Sequence, residues 1–297
     1  MSSREARLLR GVTMASVLVA ILLIILKLIA TISTNSISMM ASLIDSTMDL
    51  FASLVTLFAV RIALQPPDDD HRFGHGKAEP LAALAQTMFI AGSGAFLFLE
   101  ATQRLIRPQP LDTAGLGIAV MVISMLATAS LLMFQRHVIK ITQSPAIKAD
   151  AAHYGSDFLV NAATIAALLL ASQGMNWIDP VFGIAVGIFI LWGAWHVGRH
   201  ALDQLMDREV LDGSELKIHA LAVGHPDVRA ADHIRTRMAG RTMIIQLYIY
   251  LRRDLNLGEA HVIGDEVAAR IQVLFPGADI LIHEEPDHAP PPALKPN

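Results

Sequence analysis

Four ionisable residues stand in stretches of sequence that are otherwise apolar. Asp45 and Asp49 are four apart in the run 38–64, and His153 and Asp157 are four apart in the run 146–170. Positions i and i+4 share one face of a helix, so each pair can aim two ligand atoms at one point. If the two faces oppose each other, one imidazole and three carboxylates converge. That donor set suits a tetrahedral divalent ion, zinc first, with cadmium and ferrous iron as further candidates. Three ionised carboxylates around a doubly charged ion leave the site net negative. Loss of the metal then favours uptake of protons, with the imidazole of His153 the natural acceptor near neutral pH. The competing reading is a set of interhelical hydrogen bonds or a proton relay that holds no metal.

A second group lies in the polar segment 66–77. Asp68, His71 and His75 have i, i+3, i+7 spacing, and Gly74 and Gly76 let the backbone fold tightly around them. Three such ligands with an open fourth position can hold zinc. A solvated acidic loop, or a cap on the following helix, is the alternative. The chain has no cysteine, so thiolate sites and disulfides are excluded. Lys27 lies in the first apolar run with no charge close to it in sequence and reads as a snorkelling or locally paired lysine. Glu79 and Glu100, at the two ends of the third run, read as interfacial.

These groups need long apolar elements to carry them. The chain is 53% hydrophobic and only 17% charged, against about a quarter charged in ordinary soluble domains, and its mean hydropathy is +0.48. A bilayer span takes about 20 apolar residues. Six such spans are expected, at about 12–32, 38–64, 81–105, 114–134, 146–170 and 177–202. The second and fifth are the least clean because they carry the ionisable pairs, and an ionisable group inside a bilayer marks function by default. Arg4 to Arg10 are basic and lead into an apolar run without a small-residue cleavage site, which reads as a retained first span.

Lys and Arg crowd on one side of this topology. That side holds Arg4, Arg7, Arg10, Arg72, Lys77, Arg136, Lys140, Lys148 and Arg208, against Arg104 and Arg107 on the other. The positive side faces the cytoplasm, which puts both termini and the 66–77 loop there. The net charge of −4 and the lack of a basic patch with interleaved aromatics exclude a nucleic-acid partner.

From about residue 207 the composition becomes that of a soluble domain. A helix is expected at 214–223 with Ser214 as N-cap, strands at 228–236 and 242–251, an amphipathic helix at 257–274 and a short strand at 279–283. This αββαβ order defines a small α+β, ferredoxin-like domain. The expected fold is therefore an α-helical membrane protein of six transmembrane helices, residues 1–206, with a cytoplasmic domain at 207–286. A Pro-rich disordered tail covers 287–297.

Three motifs resemble the cation diffusion facilitator family, and in particular its bacterial zinc and iron efflux members. They are 42–49 (Ser-Leu-Ile-Asp-Ser-Thr-Met-Asp), 72–80 (Arg-Phe-Gly-His-Gly-Lys-Ala-Glu-Pro) and 153–157 (His-Tyr-Gly-Ser-Asp). The likeness runs from about Leu8 to Pro286. It implies a homodimer in the bacterial inner membrane that exports metal against protons, with Asp45, Asp49, His153 and Asp157 as the transport site and Asp68, His71 and His75 as a loop site. It also implies that Lys77 and Asp207 form a charge pair tying protomers together. In the cytoplasmic domain the family's two-metal site is only partly matched. His261 and His283 fit it. Asp232 and Tyr248 stand where relatives have His, and Glu285 stands where they have a bridging Asp. His233 is displaced by one residue, which in a regular strand turns it to the opposite face. A single site of Asp232, His261, His283 and Glu285 is the resulting expectation, with a purely dimerising domain as the alternative. His219, His225 and His288 read as surface residues.

Other functions fit less well. A membrane metalloprotease needs an open metal position and a separate general base, and no His-Glu-x-x-His occurs. A membrane metal sensor without transport, or a passive metal channel without proton coupling, would use the same ligands and differ only in flux.

Overall fold

The computed structural model describes residues 3–34, 37–106, 115–171, 178–210 and 212–287. The start of the fourth expected span, Arg107, Trp177, His288 and the tail from 288 onward lie outside these. The chain divides into two compact units, 1–202 and 203–297.

The first unit is built from six long helices: α1 (Ser3–Thr34), α2 (Ile37–Ala63), α3 (Ala78–Ile106), α4 (Gly115–Thr142), α5 (Pro145–Ala171) and α6 (Ile178–Leu205). Among the described residues, α1, α2, α3, α4 and α6 are long and apolar enough to cross a membrane. α5 is 27 residues long and matches a span in length. Lys148, Asp150, His153 and Asp157 all sit on it. The chain is thus an α-helical membrane protein followed by a small α+β domain.

α1 packs on α2 and α4, and α5 packs on α2, α3 and α4. Leu9, Val12, Val60, Val138 and Ile147 close one end of this bundle as a buried apolar cluster. α6 lies along α3 through Ile90, Val186, Ile190 and Ala194. The two backbones nearly touch at Gly187, where a Cβ would stand 3.1 Å from the Phe98 amide nitrogen and 3.2 Å from the Gly94 carbonyl oxygen. Only glycine permits that approach. Ile25, Phe58, Leu126 and Trp192 are exposed on the outside, as side chains facing lipid should be.

The second unit holds α7 (Ser214–Val223), β1 (Val228–Ala239), β2 (Thr242–Leu251), α8 (Leu257–Leu274) and β3 (Asp279–Pro286). The sheet order is β1-β2-β3, with β1 and β2 antiparallel and β2 and β3 parallel. The crossover through α8 supplies the parallel pairing. Ile218 and Ala222 of α7, Ile263, Val267 and Ile271 of α8, and Ile245, Leu247 and Ile249 of β2 form one core. Asn256 caps α8: its side chain accepts from the Glu259 amide at 3.0 Å, and the Glu259 carboxylate accepts from the Asn256 amide at 2.9 Å.

Three expectations change here. Ser214 is the first helical residue of α7 rather than its cap; the N-cap position is Gly213 at φ +75°, and the Asp212 carboxylate accepts from both the Ser214 amide and its hydroxyl. The Ser214 hydroxyl bond holds the Asp212 carboxyl below the usual carboxylate range. His225 is not a surface residue. It is 3% exposed, with Nε2 2.7 Å from Glu266 and Nδ1 accepting from the Asp227 amide at 3.2 Å. His233 sits in a β-bulge between Asp232 and Arg235, at φ +51°. The bulge adds a residue to the strand and cancels the one-residue displacement, so His233 meets Tyr248 ring to ring at 5.1 Å rather than pointing away.

Candidate metal sites

α2 and α5 bring Asp49, His153 and Asp157 together. The three offer ligand atoms that all lie within 4.8 Å of one another. His153 Nε2 is 3.0 Å from Asp49 Oδ1 and 3.9 Å from Asp157 Oδ2. Asp49 and His153 are 5% and 3% exposed. His153 Nδ1 and Asp157 Oδ2 are buried without a hydrogen-bond partner. Buried polar atoms are almost always satisfied, so a carboxylate oxygen buried without a hydrogen bond beside an imidazole fits a metal ligand. Asp45 stands one turn away on α2, is exposed, and is not part of this close group.

Next to the trio lies a polar network that the sequence reading passed over. Asp150, one turn from His153 on α5, is fully buried. Its carboxylate accepts from Ser16 Oγ of α1 at 2.7 Å, Gln135 Nε2 of α4 at 2.8 Å and Gln86 Nε2 of α3 at 3.3 Å. Gln86 also donates to Ala52 O and Thr56 Oγ1 of α2, each at 2.9 Å. Tyr154 donates to Ser16 O at 3.2 Å, shares a hydrogen bond with Ser53 Oγ at 2.8 Å, and lies edge-on to the His153 ring. Four helices thus fix the rotation of α5, which aims His153. The signal was available: Asp150 is an ionisable residue inside an expected span.

Lys27 also departs from its expectation. It does not snorkel. It is 9% exposed, and its ammonium donates to Ser46 Oγ at 2.6 Å and to Ser42 O at 3.1 Å, both on α2. Glu79 is buried as well and accepts from Ser144 Oγ, joining the start of α3 to the turn before α5. Glu100 pairs with Arg104 at 2.6 Å on α3.

The loop group also assembles. Asp68, His71 and His75 offer ligand atoms within 4.8 Å of one another. Asp68 is 3.3 Å from His71 Nδ1 and 3.3 Å from His75 Nε2, and the two imidazoles are 4.6 Å apart by ring centroids. Gly74 at φ +79° makes the turn that brings His75 back. The His71 amide donates to the Asp68 carboxylate at 2.6 Å, and this bond foremost holds the Asp68 carboxyl below its usual range.

The cytoplasmic residues do not converge in the same way. His283 Nε2 is 2.9 Å from Glu285, and the Tyr248 ring lies tilted by 48° against that of His283, 4.6 Å away by centroids. His261 pairs with Asp265 at 3.7 Å, on the exposed side of α8. Asp232 accepts from the amide of His233. Among the described residues of this domain, no three His or acidic side chains reach a common point. Asp207 accepts from Arg237 Nη1 at 2.9 Å.

A helical membrane domain in which α2 and α5 bring a His and two carboxylates together, followed by a small α+β domain, fits a class of metal-handling membrane protein. Residues 13–206 match the cation efflux transmembrane domain, and residues 212–287 match the cation efflux protein cytoplasmic domain. The chain belongs to the cation efflux, or cation diffusion facilitator, family and is a cation transporter of the FieF type. It is 42% identical over 293 residues to the cation-efflux pump FieF of Klebsiella pneumoniae subsp. pneumoniae, covering 99% of this chain and 98% of that protein. It is 44% identical over 286 residues to the FieF pump of Yersinia enterocolitica, covering 96% and 95%.

Proposed function

We propose that this transporter exports a divalent metal, zinc first and cadmium or ferrous iron after it, in exchange for protons. Asp45, Asp49, His153 and Asp157 bind the metal and face the two sides of the membrane in turn. The observation that carries this reading is the trio Asp49, His153 and Asp157, with its unpaired Asp157 oxygen and imidazole nitrogen in the interior of the helical domain. Neutral imidazole and ionised carboxylate are what a zinc site requires, so metal and protons compete for the same atoms. The FieF pumps are named as cation-efflux pumps, which supports the direction.

The same reading makes the chain a homodimer in the inner membrane with both termini cytoplasmic, and makes Lys77 and Asp207 a tie between protomers. Asp68, His71 and His75 hold a second metal that assists capture from the cytoplasm. His283 and Glu285, with Asp232 and His261 drawn in by the metal, offer a weaker third site.

Purified protein in vesicles carrying a pH gradient should accumulate zinc, and Asp49→Ala or Asp157→Ala should abolish it. Normal uptake by both variants overturns the site assignment. Zinc binding without flux favours a metal sensor, and flux indifferent to the proton gradient favours a channel.

A further inference from the structure

A buried ammonium group adjoins the membrane site, and the transport reading gives it nothing to do. Lys27 comes from α1 and reaches α2 at the turn 42–46, which contains Asp45. Its two acceptors there, Ser46 Oγ at 2.6 Å and Ser42 O at 3.1 Å, are both neutral. They solvate the ammonium and orient it, but they do not balance its charge. A lysine at 9% exposure needs a carboxylate to offset desolvation. Its two acceptors flank Asp45 on α2, and its charge acts on Asp45 and Asp157, one from each helix of the site. Helix α1 contributes no metal ligand, so its contribution to the site is charge alone.

We propose that Lys27 is a tethered cation that sets the charge balance of the membrane site and thereby weakens metal binding enough for release. This rests on the transport-site reading above. Asp45, Asp49 and Asp157 carry one negative charge each when ionised, and Lys27 carries one positive, with His153 neutral. The set is then doubly negative, equal and opposite to one divalent ion. Without Lys27 the same ligands would hold a divalent ion with a negative charge to spare. The fixed ammonium repels the bound metal and holds Asp45 and Asp157 in its place once the metal has gone. A transporter needs a site that lets go, and a lysine that cannot leave competes at constant effective concentration. The charge of the ion taken up follows as well: a monovalent ion leaves the site negative and a trivalent ion leaves it positive.

A purely mechanical role, clamping α1 to α2, predicts the opposite sign. Losing a clamp loosens the site, whereas losing a repelling charge tightens it. Zinc binding is measured on the full chain in lipid nanodiscs at constant pH, and the membrane-site component is the part that Asp49→Ala removes. Lys27→Met and Lys27→Gln should bind zinc at that component about tenfold or more tightly than the unaltered chain. In vesicles both should show a lower KM together with a lower kcat, because release slows. Lys27→Arg keeps the charge and should stay within about threefold of the unaltered chain. Unchanged or weaker binding in folded Lys27→Met and Lys27→Gln overturns the proposal. Should neither neutral variant fold, Lys27→Arg decides, and a tenfold change in its affinity overturns the proposal. If Asp49→Ala removes no component of the isotherm, the site assignment itself fails, an outcome separate from a failure of the Lys27 variants alone.

Discussion

Replacing Asp150 by alanine tests whether the buried polar hub positions the transport helix. The carboxylate accepts from Ser16, Gln135 and Gln86 at 2.7, 2.8 and 3.3 Å. Each donor has a second acceptor: Ser16 Oγ can turn to Val12 O at 3.2 Å, Gln135 keeps Ser16 Oγ at 3.2 Å, and Gln86 keeps Ala52 O and Thr56. Few donors are therefore stranded, and the loss is that of the bonds themselves. Interhelical hydrogen bonds in membranes are worth about 0.6–1.7 kcal/mol each, so Asp150→Ala should cost about 2–4 kcal/mol. Equilibrium unfolding in mixed micelles measures it. A double-mutant cycle with Gln135→Ala should return a coupling of about 0.5–2 kcal/mol. A cost under about 0.5 kcal/mol, or a coupling indistinguishable from zero, would refute the hub as the element that fixes α5.

Three other outcomes follow from the polar surface of the chain. The double variant His71→Ala/His75→Ala should bind one metal fewer per protomer, by metal analysis of purified protein, while vesicles still accumulate zinc at a higher KM. The Asp68 carboxyl is held low, so the stability it lends the turn is present at neutral pH and lost only as the pH falls through that depressed value. The turn should thus stay intact in mild acid, and a backbone-sensitive probe such as amide exchange at His71 should register no change. Asn256→Ala removes the capping box of α8 and should lower the opening free energy of its first-turn amides by about 1 kcal/mol, read by hydrogen exchange on the full chain.

Much of this molecule is legible in its sequence because its periods are strong. Apolar runs of span length mark the membrane helices. In the C-terminal domain, α7, β2 and α8 fall at the expected residues, and β1 and β3 simply run on, to Ala239 and Pro286. Spacing also finds both ligand trios, since i+4 on a helix and i+3 and i+7 across a glycine turn are local geometry. What sequence misses is set by partners far along the chain. Lys27 looks solitary because its acceptors are a hydroxyl and a carbonyl, which no charge pattern reveals. Asp150 lacks an i+4 partner and was passed over, although its partners come from three other helices. His233 defeats a period-2 argument because a bulge adds a residue to the count. His225 is buried and bonds to Glu266, 41 positions later in the chain.

The position of Asp45 ranks the ligands of the proposed transport site. Asp49 touches His153 at 3.0 Å, and Asp157 lies 3.9 Å from it with an oxygen that makes no hydrogen bond. Asp45 is the outlier, exposed and a turn away. Three carboxylates at one point repel one another unless a cation lies between them. The fourth ligand of such a site closes last, when the ion supplies the charge that offsets the repulsion. Removing a preformed ligand should then cost more than removing one that must first be drawn in. Asp49→Asn and Asp157→Asn should weaken zinc binding about a hundredfold or more, and Asp45→Asn about tenfold, by competition against a zinc chelator. If Asp45→Asn is the most damaging of the three, Asp45 belongs to the formed site rather than to its closure.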